Sequence, residues 1–187
     1  MLTPIVLFDA CVLYPAPLRD LLMHLSLSGA FRAKWTKEIH EEWISNLLEQ
    51  RTDLSRVQLE RTRDLMNTHV LDALVENYER LVTKLSLPDP HDRHVLAAAI
   101  RAQASLIATF NLKDFPAKAL EQYDIQAIHP DDFVTHVLME DPDKISAIVE
   151  RLRKGLKNPP LRQVEYFNIL KQQNLPKFVS AISALSH

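Results

Sequence analysis

Asp9 closes the short apolar run Pro4-Ile5-Val6-Leu7-Phe8, a place where a carboxylate is costly to bury unless a partner or a cation meets it. Oxygen-bearing side chains recur in three other segments. Glu38, Glu41 and Glu42 lie in TKEIHEEWISNL, Asp89 and Asp92 in LPDPHDRHVLAAAI, and Asn111 and Asp114 in TFNLKDFP. If folding gathers them, such oxygen donors suit a hard divalent cation, Mg²⁺ or Mn²⁺. A cation so held activates water and stabilises charge developing on a phosphate. Each residue also has a purely structural reading. Asp9 can begin a turn or cap a helix, Asp89 caps a helix with Pro90 at its first position, and Asp92 suits the helix dipole and a capping box. Asn111 fits a turn after a strand. Glu38 points almost opposite the apolar face Ile39/Trp43/Leu47 and reads as solvated, while Glu41 and Glu42 fall on opposite borders of that face. Periodicity does not choose between those two. His94 and Cys11 read as packing residues, with nothing nearby to activate the thiol.

The elements that must position these side chains alternate between strand and helix. Besides residues 4–8, Leu106-Ile107-Ala108-Thr109 and Ile125-Gln126-Ala127-Ile128 have the length and content of short buried strands. Helices are predicted over 17–28, from an N-cap at Thr36, over 54–67, and over 91–102 behind Asp89-Pro90. This alternation points to an α/β fold with a parallel sheet, in which function gathers at the carboxyl ends of strands. Asp9 and the segment after Thr109 occupy such ends. After about residue 140 the pattern is helix only. Ile145, Ile148, Val149 and Leu152 mark one amphipathic helix and Val164, Phe167 and Leu170 another, with Asn158-Pro159-Pro160 between them. The expected division is a catalytic-type unit at 1–140 and a helical extension at 141–187.

The 187 residues fit one domain of ordinary size with a small appendage. Two glycines, Gly29 and Gly155, leave no Gly-rich nucleotide loop, and the first strand lacks the glycine that a dinucleotide-binding turn needs. A HAD-type phosphotransferase would carry a second Asp where Cys11 stands, and no serine occupies a nucleophile elbow. The single cysteine offers no disulfide framework. The start, Met-Leu-Thr-Pro, is unlike a signal peptide and no apolar run reaches membrane-spanning length, so a cytoplasmic location without membrane association is expected. Net charge is −2, unevenly spread. From residue 144 onward eight basic residues face only Glu150 and Glu165, leaving the rest of the chain acidic. An acidic body with a basic tail suggests cation-binding carboxylates in one place and an anionic partner in another. Arg19, Arg93, Lys113 and the tail are the candidate phosphate contacts.

The segments LFDACVLYP, TKEIHEEWISNL, LPDPHDRHVLAAAI and IATFNLKDFP, in this order and spacing over roughly residues 3–138, resemble the PIN-domain family. The likeness is to its VapC-type toxins, and to a subgroup with an extra helical C-terminal segment. The resemblance implies a three-layer α/β/α sandwich with a central parallel sheet. It also implies a metal-dependent endoribonuclease whose acidic side chains hold Mg²⁺ or Mn²⁺, with Asp9 as first acid, Glu42 as second and Asp92 as third. Glu42 is chosen over Glu41 because the family's helix carries its Glu directly before a hydrophobic residue, here Trp43. At the fourth position many members have Asp where this chain has Asn111, and Asp114 can supply the missing carboxylate. RNA as substrate, a cognate antitoxin protein as partner and a homodimer follow from the same resemblance. The competing reading is a PIN-like module that binds RNA or protein without cutting it.

Overall fold

The computed structural model describes residues 3–185. Strand β1 (Ile5–Phe8) runs into a one-turn helix α1 (Ala10–Leu13) and then α2 (Ala16–Leu27). Strand β2 (Arg32–Lys34) is followed by α3 (Lys37–Gln50), α4 (Arg56–His69) and α5 (Glu79–Val82). A 3-10 turn, Pro90–Asp92, opens α6 (Arg93–Arg101), which leads to β3 (Leu106–Ala108). Beyond it come a second turn, Leu112–Asp114, the short α7 (Ala117–Leu120), a third turn, Glu121–Tyr123, and β4 (Gln126–Ile128). Helices α8 (Pro130–Glu140), α9 (Pro142–Gly155), α10 (Gln163–Gln172) and α11 (Pro176–Leu185) complete the described chain.

The four strands form one parallel sheet in the order β2-β1-β3-β4, flanked by helices. Val6, Leu7 and Phe8 are fully buried, as expected of a central strand covered on both faces. Phe8 of β1, Phe31 and Phe133 of α8 meet edge to face, with centroids 4.9–6.1 Å apart, an arrangement that the aromatic quadrupoles favour. This cluster fastens α8 beneath the strand that carries Asp9.

Strand β2 is the element that the sequence pattern does not reveal. Arg32-Ala33-Lys34 has no apolar run, yet it pairs with β1. The Lys34 stem is buried while its ammonium donates to the backbone and carboxylate oxygens of Asp72. The buried length of a lysine with a satisfied head behaves as apolar surface.

Helix α3 begins where expected, with the Thr36 hydroxyl accepting from Ile39 N at 3.0 Å. A buried polar chain fixes its rotation. Trp43 Nε1 donates to His40 Nδ1 (3.0 Å), His40 Nε2 meets Asn67 Oδ1 (3.1 Å), and Trp35 Nε1 donates to the same oxygen (2.7 Å). Burial pushes the His40 pKa down to about 4, so the ring is neutral and serves as both donor and acceptor. Arg19, expected to meet phosphate, is instead buried. It donates to the carbonyls of Leu13 and Tyr14 and lies 4.6 Å from the Trp43 ring, a cation–π contact that ties the end of α1 to α3.

The C-terminal helices dock on the body, with α11 packed on α8 and α9 and α10 against α2. Tyr166 and Leu170, rather than Val164, form the buried face of α10. The Asp131 carboxylate, itself 3% exposed, accepts from the backbone N–H of Lys177 and of Phe178, each at 2.9 Å. Those are the first free donors of α11, since Pro176 has none and Val179 N already bonds Leu175 O. A side chain from one helix thus caps another 45 positions away. Much of the basic tail is also engaged internally. Arg153 pairs with Glu150, Arg162 with Glu165 and Lys177 with Asp132, while Lys144 donates to Ser28 O.

Candidate metal and nucleic-acid site

The carboxyl ends of β1 and β3 are neighbours, and this places Asp9 beside Thr109. Asp9 Oδ1 accepts from Ala10 N at 2.6 Å, capping α1. Its Oδ2 accepts from the Thr109 hydroxyl at 2.7 Å and from the Cys11 thiol at 3.2 Å. Cys11 is therefore more than packing, although burial and the Asp9 charge push its pKa up to about 12 and keep it a thiol. Asp9 is only 6% exposed, so these donors aim a carboxylate that would otherwise be free to turn.

A cleft of about 730 Å³ opens above these strand ends, lined by Asp9, Glu38, Glu42, Asp92 and Asn111 among others. Four of the five residues singled out from sequence thus share one concavity. Asp114 is not among the lining residues, but its charge acts on Asp92. A larger and mostly apolar groove, about 1130 Å³, runs between α2, α4 and the segment before α10 and shares no lining residue with this cleft. Its chemistry is that of packing surfaces.

Asp92 makes no capping-box contact. Asp89 caps the turn by accepting from His91 N at 2.8 Å, and the Asp92 side chain forms no cap hydrogen bond. Instead Asp92 is half-buried and faces other acids. Burial first, then the charges of Asp9, Asp89 and Asp114, push its pKa up to about 6. A carboxylate without a donor, raised by neighbouring negative charge, fits a divalent cation, which would relieve both penalties. The donors at hand, two aspartates with a glutamate and an amide along the same wall, are the hard oxygens that Mg²⁺ or Mn²⁺ takes.

This raised pKa also fixes a stability effect. Between the unfolded value near 4 and the folded value of about 6, the folded state binds more protons than the unfolded one. Metal-free stability therefore falls as pH rises through that window. Discounted for the solvent reaching a half-buried group, Asp92→Asn should stabilise the metal-free protein by about 1–2 kcal/mol at pH 7.5. Urea denaturation in chelator at pH 7.5 and pH 4 checks it, and the gain should vanish at the lower pH.

Two further side chains enter the site. Glu38, read as solvated, is exposed, and its carboxylate also accepts from the Tyr78 hydroxyl at 3.0 Å and stands 3.6 Å from His94 Nδ1. His94, read as packing, is buried with its Nε2 2.8 Å from Glu42 Oε1. Burial opposes charge on His94, but the hydrogen bond and charge of Glu42, with Glu38 and Asp9 adding, push its pKa up. The only signal for either in sequence was distance, Glu38 standing one helical turn before Glu42 and His94 two residues after Asp92. Glu41 also lines the cleft, but its carboxylate is engaged by Arg56 at 2.9 Å.

Two family models match successive segments of the chain. The family described as "PIN domain" matches residues 5–113, and that described as "VapC50 C-terminal domain" matches residues 130–184. A curated Mycobacterium tuberculosis (strain ATCC 25618 / H37Rv) protein named "Putative ribonuclease VapC50" is 39% identical over 89 residues, covering 48% of this chain and 52% of that protein. The match thus spans about half the length of either. No solved structure matches the chain. Among the described residues, no helix is long and apolar enough to cross a membrane.

Proposed function

The chain belongs to the PIN-domain family, and from that premise we propose that it is a metal-dependent endoribonuclease, the toxin of a toxin–antitoxin pair. The observation that carries this reading is the cleft in which Asp9, Glu42, Asp92 and Asn111 converge while neighbouring charge raises Asp92. Asp9 and Asp92 would hold Mg²⁺ or Mn²⁺ directly, with Glu42 and either Asn111 or Asp114 completing the set. When bound, the cation lowers the pKa of water and offsets charge on the scissile phosphate.

The chain's own groups do the rest. The Thr109 hydroxyl and Cys11 thiol hold Asp9 in one orientation. Glu42, fixed through one oxygen by His94, has its other oxygen to accept a proton from the attacking water. Water adds to phosphorus in line, the bond from phosphorus to the 3′ oxygen breaks, and that oxygen takes a proton from solvent, so that the products are a 5′-phosphate and a 3′-hydroxyl. Half-buried Arg93 and exposed Lys113 flank the acids in sequence and are the phosphate contacts in this reading. Among the tail's basic residues, Arg151, Lys157 and Lys171 have no ion pair among the described residues and could add to them.

Residues 1–140 form the nuclease unit in this proposal and 141–187 the helical extension, acting in the cytoplasm. An antitoxin would neutralise the acids with a basic side chain or cover the cleft, and pairing of two copies would set two clefts together. Asn111 supports a second reading, an RNA- or protein-binding module without catalysis, because an amide adds no charge to the set. Incubating bacterial RNA with purified protein and Mg²⁺ or Mn²⁺ at low salt separates the two. Discrete cuts abolished by chelator support the nuclease, whereas intact RNA retarded by folded protein supports the binding module.

A further inference from the structure

We propose that Glu38, Glu42 and His94 form a second divalent-cation site, beside the Asp9–Asp92 carboxylates and selective for a transition metal over Mg²⁺. Three observations carry it. One carboxylate oxygen from each glutamate and one ring nitrogen of His94 lie within 4.8 Å of one another, close enough for a single ion to collect them with small side-chain shifts. His94 is 5% exposed, and its Nδ1, which no hydrogen bond reaches, stands 3.6 Å from Glu38 Oε2. Glu38 is also held from behind by the buried Tyr78 hydroxyl, as outer hydrogen bonds hold the carboxylates of built metal sites.

The positions follow from the helices. Glu38 and Glu42 are four apart on α3 and share one face, and His94 lies in the first turn of α6. Tyr78 precedes α5 and closes the far side. A lone glutamate pair would be a surface repulsion, and a histidine bonded only to Glu42 leaves its second nitrogen buried without a hydrogen bond. An ion between the three removes both.

The donor set decides the metal. Mg²⁺ takes oxygen almost exclusively and keeps its waters, whereas imidazole suits Fe²⁺, Ni²⁺ and Zn²⁺, and Mn²⁺, although mainly an oxygen-binding ion, accepts an imidazole nitrogen more readily than Mg²⁺ does. The Asp9–Asp92 set has no nitrogen and does not discriminate in this way. The two sites share only Glu42.

The test uses Mn²⁺ alone, titrated into the full chain and followed by electron paramagnetic resonance, so that it does not depend on RNA cleavage. In the Asp9→Asn/Asp92→Asn variant, one Mn²⁺ per chain should remain bound. Its spin-echo spectrum should show coupling to an imidazole nitrogen, and a hundredfold excess of Mg²⁺ should displace less than half of it. Adding Glu38→Gln, a change at an exposed side chain, should weaken that Mn²⁺ at least tenfold, and His94→Gln should abolish the nitrogen coupling. The proposal is overturned if the Asp9→Asn/Asp92→Asn variant binds no Mn²⁺, if the nitrogen coupling is absent, or if Mg²⁺ displaces the ion on equal terms. Uncut RNA with these signals present would sink the nuclease reading and leave this site standing.

Discussion

Asp9→Asn should lower RNA cleavage by about 100- to 1000-fold while leaving the far-ultraviolet circular dichroism unchanged. The size follows from what the carboxylate is asked to do. A catalytic cation contributes several kcal/mol of charge stabilisation, and each 1.36 kcal/mol is a factor of ten in rate. Asn keeps the shape of Asp9 and its ability to cap α1, since Asn and Asp are equally good at that position. With its one oxygen on the cap, the amide NH₂ takes the place of the second carboxylate oxygen and can donate to the Thr109 oxygen, which now lies 2.7 Å away. What it loses is the charge. Single-turnover cleavage in saturating Mg²⁺ gives the ratio, and cleavage within threefold of the unaltered protein would remove Asp9 from the chemistry.

The second large effect is on stability. Asp131→Ala should destabilise the protein by about 3 kcal/mol, lowering the melting temperature by about 6–12 °C for a chain of this length. Two helix-end N–H groups, the buried one of Phe178 and the part-buried one of Lys177, lose their acceptor at once. The favourable placement of a negative charge at the start of α11 is lost with them. Asp131→Asn keeps one acceptor oxygen and should cost roughly half as much. Urea unfolding monitored by tryptophan fluorescence reads both. A loss below 1 kcal/mol for the alanine variant would mean that α11 is held by its apolar face alone, through Phe178, Val179 and Ile182.

These two residues also mark how far the chain can be read before it is folded. Asp9 was legible as a candidate because it closes an apolar strand, although alone it also reads as a turn or cap residue, and it does cap α1. The strands around 106 and 126, the Thr36 cap and the Asp89-Pro90 start were legible from local composition, and the structure has them. Asp131 was not, because its role is to cap a helix that begins 45 residues later, and nothing near it records that. β2 was hidden by the charges at its ends. Helical periodicity assigned Glu38 to solvent correctly as regards its own helix, but it cannot register that α5 and α6 bring Tyr78 and His94 to that flank. His94 was read as packing for the same reason. Burial was inferred and the partner was not. For Asn111 and Asp114 the local sequence offered two donors, and the fold places the amide, not the carboxylate, on the cleft wall.

The sheet itself limits how copies of this chain can meet. Its outer strands, β2 and β4, are three residues each. The first is overlaid at Trp35, whose backbone N–H and carbonyl already bond Ala73 and Val75, and the second ends at His129-Pro130, where proline offers no donor. Neither border presents the long row of unsatisfied amides that recruits a strand from another molecule. Among the described residues, growth by strand addition thus has little to pair with at either side, and helical surfaces are the larger ones on which folded copies can meet.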